Sequence, residues 1–169
     1  MTPPRLVARL GLVAGAALVV TAVVGCDNGS TDKLTVYQDA PRMTPVDVGP
    51  PGTSPGDAYY FSAELHARPG GPVVGEVFGS KTLVKPGASQ NPATEQRVTM
   101  LVFTFNGRKD QLMVAGVPDY PANAPEFAPD VPVLRAVVGG TGKYAAARGE
   151  LTSVRNPDGT YTQRFSLKT

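Results

Sequence analysis

The sequence predicts an all-β fold, an eight-stranded antiparallel β-barrel. Three observations lead there. Between Asp57 and Ala67, Tyr59, Phe61, Ala63, Leu65 and Ala67 alternate with Tyr60, Ser62, Glu64 and His66, the period of a half-buried strand. Eight β-rich runs are separated by turn residues, and no 3.6-residue apolar pattern is long enough for a useful helix. Gly75 and Gly79 lie on one face of a single run, where glycine permits a bend or close approach, as at the corner of a closed barrel rather than a sandwich.

The chain has 169 residues, room for one domain. Its first 25 read as a leader. Arg5 and Arg9 form a positive start, and Leu10 to Val24 is apolar apart from Thr21. That run is too short to span a membrane comfortably and has the length of a signal-peptide core. It ends at Val23-Val24-Gly25-Cys26, similar to a bacterial lipobox, in which the cysteine thiol takes a lipid. The alternative is an ordinary secretory signal followed by a chance cysteine. Cys26 is the only cysteine, so lipidation leaves the domain no thiol for a disulfide, a metal or nucleophilic catalysis. More than one acyl chain makes membrane association stable. The expected location is therefore extracytoplasmic, with the protein anchored to the bacterial cell membrane. The charge balance supports no nucleic-acid partner. The 16 Lys and Arg face 14 Asp and Glu, and loss of Arg5 and Arg9 makes the count even, with no basic run.

After a polar tether, residues 26–33, the barrel domain is expected over 34–169. Leu34 to Gln38 is the first strand. Ala40 to Gly56 carries five prolines and reads as a long loop or, alternatively, a linker. Asp57–Ala67 is the second strand, followed by the turn Pro69-Gly70-Gly71-Pro72. Val73–Val84 and Gln96–Phe105 come next, separated by a polar loop. Asn106-Gly107 signals a hairpin into Gln111–Val117. Pro118 to Asp130, with four prolines, Tyr120 and Phe127, is a stiff segment of the kind that forms a lid or rim. Val131–Val138, Arg148–Arg155 and Tyr161–Leu167 complete the eight.

Chemistry-bearing motifs are few. Gly139-Gly140-Thr141-Gly142-Lys143 suggests a phosphate loop but departs from it. Val137 stands where the first glycine is needed, and Tyr144 where Ser or Thr is needed. Ala145 likewise breaks the dinucleotide pattern. The glycines read as a structural turn, and no cofactor is expected. His66, the only histidine, has no thiol or carboxylate cluster near it in sequence, so no metal site is expected. Arg148 follows the glycine turn at the start of a strand. There it either anchors an anion at the barrel mouth or is structural, pairing with Glu150 or tying down loop carbonyls. Lys81, Glu76 and Asp39 lie on strands or strand ends, positions that are usually solvent-facing.

Val138-Gly139-Gly140-Thr141-Gly142-Lys143-Tyr144 followed by Ala147-Arg148-Gly149 resembles the signature turn of the dirigent and allene oxide cyclase superfamily. Gly75 and Gly79 match its Gly-x-x-x-Gly strand, Leu34–Asp39 its first strand, and Asn106–Gly116 its central hairpin. The resemblance covers residues 34 to 167. It implies an eight-stranded barrel with an apolar cavity, usually trimeric. Its plant members cyclise an epoxide fatty-acid derivative or steer phenoxy-radical coupling. It also implies Arg148 in the pocket and a functional Asp39. The allene oxide cyclase pattern departs: its first-strand Glu and Asn fall on Gln38 and Ala40, and its cavity Cys on Lys81.

Three functions fit. The first is an isomerase- or cyclase-like barrel holding a small hydrophobic substrate, with Arg148 as electrostatic anchor and Asp39 as acid/base. The second is a surface lipoprotein that carries a hydrophobic ligand unchanged. The third is a trimerising scaffold whose cavity is filled by side chains such as Phe61, Phe103 and Phe105.

Overall fold

The computed structural model describes residues 31–87 and 93–168. The leader, Cys26 and the first part of the tether lie outside the described residues. Ten strands form one antiparallel sheet: β1 (Thr31–Gln38), β2 (Arg42–Val46), β3 (Ala58–His66), β4 (Val73–Lys85), β5 (Thr94–Phe105), β6 (Asp110–Gly116), β7 (Asp119–Pro121), β8 (Pro132–Thr141), β9 (Arg148–Arg155) and β10 (Tyr161–Lys168). Eight of them close a barrel in the order β1-β10-β9-β8-β6-β5-β4-β3, sealed by β1 against β3. The seal is short. Only Tyr37↔His66 and Gln38↔Leu65 pair across it, and the β3–β4 register shifts at the same place, between Leu65 and His66.

The eight expected strands are these eight. The two additions come from segments that sequence reads as loops. Arg42–Val46 pairs with Ser62–Ala58 along the outside of the seam, and its Pro45 sits on an edge, where a missing N–H costs no ladder bond. Asp119–Pro121 pairs with the first residues of β5. Proline-rich segments can contribute short edge strands, but periodicity does not detect elements this short.

Strand alternation puts one face of every strand inside. On β5 the inward residues are Glu95, Arg97, Thr99, Leu101 and Phe103, all buried. This one face changes from charged to apolar along its length, and the neighbouring strands change with it. At one end Val36, Leu65, Val77, Phe103, Leu112, Val137, Leu151 and Phe165 form a continuous apolar core. The Phe103 and Phe165 rings meet edge-on there at 5.0 Å, a favoured aromatic geometry. The glycine turn closes this end. Gly142 has φ +59, and a Cβ there would collide with Asp110, whose carboxylate accepts the Lys143 backbone N–H at 3.1 Å.

Candidate functional site

The other end of the barrel holds the buried polar residues. Lys81 (β4), Arg97 (β5) and Arg135 (β8) are 3%, 2% and 4% exposed. They project inward because each keeps its strand's alternation: Arg97 is in phase with Leu101 and Phe103, Arg135 with Val133 and Val137, and Lys81 with Val77. The segment Pro118–Asp130 lies across this end as a strap. Backbone bonds hold it at both ends, from Ala122 N–H to the Ala93 carbonyl and from Asp130 N–H to the Arg155 carbonyl, both 2.8 Å. Its Tyr120 and Phe127 are buried with Val133 and Tyr161 in a second, separate cluster.

The strap's carbonyls meet the buried cations. Arg97 donates to Ala124 O (2.7 Å) and Pro125 O (3.2 Å), and Lys81 Nζ donates to Pro125 O (3.1 Å). Arg97 also pairs with the buried carboxylate of Glu95 and lies over the Tyr120 and Tyr59 rings. Tyr161 donates to Glu126 on the strap at 2.7 Å, and burial together with that carboxylate raises the Tyr161 pKa. The Arg155 Nε lies 3.3 Å from the same Glu126.

Among the described residues Arg135 has no acid partner. Its guanidinium donates to Ser153 Oγ and Tyr120 Oη, each at 3.1 Å, and its Nε has no hydrogen-bond partner among the described residues. From Ser153 the network continues to Gln163 (2.6 Å) and from Gln163 to Gln38 (2.7 Å). This polar chain crosses β8, β9, β10 and β1 inside the barrel. Lys81, Arg135, Gln38, Gln163 and Phe61 surround a cavity of about 20 Å³, room for about one water molecule. Gly79 shapes it, since a Cβ there would strike the Phe61 ring. Lys81 is the group most altered by this setting. Loss of water around the ammonium lowers its pKa to about 7, and Arg135 and Arg97 act in the same direction against Glu126.

The residues singled out from sequence lie elsewhere and are not brought together. Arg148 pairs with Lys168 at the apolar end. Ser153 is five positions further along β9, roughly 16 Å at ordinary strand rise and on the opposite face. Arg148 is exposed, and its Nη1 donates to the Ala147 carbonyl at 2.8 Å, the structural use of tying down a loop carbonyl. Gly139, Gly140 and Gly142 belong to that same distant end. Lys81 reverses the expectation of a solvent-facing residue, because its parity places it on the inner face.

Asp39 is 56% exposed outside the β1–β3 seam, with Oδ1 3.1 Å from His66 Nε2. The other His66 nitrogen lies 2.8 Å from the Gly71 carbonyl; a proton on Nδ1 satisfies that bond and directs the Nε2 lone pair at Asp39. The Gly71 carbonyl and then the Asp39 carboxylate raise the His66 pKa. Glu64 joins them, with the three ligand atoms within 4.8 Å of one another. The expectation that no carboxylates accompany His66 is thus corrected: Glu64 shares its strand face two residues away, and the β1–β3 seam brings Asp39 from the end of another strand. Asp39 and His66 face an outer groove that includes Tyr37, Pro69 and Asp158, and Glu64 lines a neighbouring one with Asp39; neither is the barrel interior.

Sequence reasoning passed over Arg97, Arg135, Glu95 and the Ser153–Gln163 pair. The signal that finds them is parity: a charged residue in phase with the apolar inner face of its own strand.

No family model matches the chain, and no curated protein matches it. Solved structures do. Pyocyanin demethylase superposes with a TM-score of 0.60 at 23% identity, over 82% of this chain and 100% of that one. The Diels-Alderase AbmU from Streptomyces koyangensis gives 0.61 at 15%, over 85% and 70%. The pterocarpan synthase dirigent protein GePTS1 gives 0.51 at 19%, over 82% and 83%. At these identities the likeness is one of fold: the chain is an eight-stranded antiparallel barrel, as these proteins are.

Proposed function

We propose that the protein binds a small, partly apolar organic anion in the polar half of its barrel and guides its isomerisation, cyclisation or stereoselective coupling. One observation carries this reading: three buried cations, Lys81, Arg97 and Arg135, share the site with a single buried acid, Glu95, which Arg97 already engages. Charge taken out of water is costly without a partner. A bound carboxylate, phenolate or enolate beside Lys81 and Arg135 supplies it once the strap moves to enlarge the one-water cavity, and Phe61 and Tyr161 offer apolar walls to the rest of the molecule. The same donors would stabilise negative charge that develops during reaction, and a closed barrel would hold one conformer of the substrate. The kinship of fold with a Diels-Alderase and a dirigent protein supports a barrel used as a reaction vessel. Arg148 has no part in this reading.

Native mass spectrometry of protein from its own cells, followed by thermal-shift measurements with small aromatic and aliphatic carboxylates, tests the proposal. A retained anion, or stabilisation of the wild type that Arg135→Met abolishes, is expected. Equal responses of both proteins to every anion would sink the reading. The absence of a nucleophile–base pair among the described cavity residues favours a second reading, a carrier that releases its ligand unchanged; incubation with the retained ligand followed by its recovery separates the two. The leader and Cys26 support anchoring at the membrane, and Cys26→Ser should then yield an unlipidated protein. The trimer implied by resemblance is read in the same native spectra.

A further inference from the structure

We propose that Lys81 is a covalent amine nucleophile that forms an imine with the aldehyde or ketone group of the bound molecule. The inference rests on the anion-binding reading above and deepens it: the substrate would be an oxo acid, with its carboxylate beside Arg135 and its carbonyl beside Lys81.

The geometry has four parts. Lys81 Nζ lines the cavity and is the only buried lysine among the described residues. Its one hydrogen bond goes to Pro125 O on the strap, so lifting the strap frees the amine and opens the cavity in one movement. No carboxylate forms a salt bridge with Lys81 among the described residues; Glu126, which favours its ammonium form, is engaged by Tyr161 and Arg155, and loss of water outweighs it. The Phe61 and Tyr120 rings lie 4.9 and 5.3 Å from Nζ and keep water from its flanks. A desolvated lysine next to other cationic groups is the setting in which an amine becomes nucleophilic near neutral pH, and the lowered pKa of Lys81 agrees.

The step balances without an oxidant or reductant. The Nζ lone pair attacks the carbonyl carbon and forms the C–N bond, while the carbonyl π electrons move to oxygen. That oxygen takes both amine protons in turn and leaves as one water, giving the neutral imine. Protonated by solvent, the imine draws electrons from the adjacent carbon, where an isomerisation moves a proton and a cyclisation makes a bond.

Glyoxylate, an aldehyde that carries a carboxylate, is the probe, with cyanoborohydride to reduce any imine to a stable secondary amine. Peptide mapping at pH 7 is expected to find Lys81 modified first. Lysines that water solvates as ammonium ions should react more than about a hundredfold more slowly per site. Lys81→Arg should lose that adduct while keeping anion stabilisation, and Arg135→Met should lose stabilisation and slow the labelling. Labelling of Lys81 no faster than of Lys33, Lys109 or Lys168 overturns the imine. If glyoxylate still stabilises the wild type but not Arg135→Met, the anion site stands and only the covalent step falls. If it stabilises neither and Lys81 stays unlabelled, both fall.

Discussion

The two ends of the barrel are built on the same strands and differ in what fills them. At the glycine-turn end, inward positions carry Val, Leu and Phe, and every one contributes apolar burial. At the strap end, the same strands turn Lys81, Arg97, Arg135, Ser153 and Gln163 inward. The first end explains stability. The second spends it, since a buried charge without a counter-charge lowers stability. The strap end also buries Tyr120, Phe127, Val133 and Tyr161, so its charged inward residues are the departure on which the proposed site rests. Its counterpart is the strap, which covers buried cations with carbonyl oxygens but brings only one carboxylate, Glu126, toward them.

Removing an apolar side chain at the first end and a buried charge at the second should therefore act in opposite directions. Phe165→Ala, at the apolar end, opens a void against Phe103 and should cost about 3–5 kcal/mol in chemical denaturation. Lys81→Met at the strap end should do the reverse. The pKa of Lys81 falls from 10.5 unfolded to about 7 folded, so between those values the unfolded chain holds more protons and wild-type stability rises with pH. Methionine removes that cost, a gain of up to roughly 4 kcal/mol at pH 7 that shrinks to nothing above pH 10.5. A Lys81→Met protein less stable than wild type at pH 7 would break the comparison. An intermediate effect is expected of Tyr120→Phe, which leaves Arg135 and Thr99 without a shared partner and should lower the melting temperature by the equivalent of about 1–3 kcal/mol.

The smallest effect belongs to the seam. Asp39→Asn should lower the His66 pKa measured by NMR titration, though not to its unfolded value, because the larger influence, the Gly71 carbonyl, remains. A raised histidine pKa stabilises fully below the unfolded value of 6.5 and ceases to do so as pH rises through the folded value. Wild type and Asp39→Asn should therefore differ most in acid, by less than about 1 kcal/mol for so exposed a pair, and converge as the pH rises past the folded value. An unmoved His66 titration would show that Asp39 and His66 do not interact in solution.

What the residues alone determined is the barrel. Alternation from Tyr59 to Leu65, the Asn106-Gly107 hairpin and the strand glycines are local signals, and they fix eight strands to within a few residues because side-chain period and turn chemistry act over short spans of chain. The inner face of each strand was legible too, and with it, in principle, the oddity of Arg97 among Leu101 and Phe103. What only the tertiary structure decided is which inward residues meet. Shear and register bring Lys81, Arg97, Arg135 and Gln163 from four strands to one end and send Arg148 to the other. The seam likewise sets Asp39 beside His66 across 27 residues of chain. The strap's role was decided the same way: its prolines announce a stiff segment, but only the closed barrel puts Tyr120 and Phe127 over buried cations. Such meetings depend on long-range pairing, whose energy is shared across the whole sheet and is written in no single stretch of sequence.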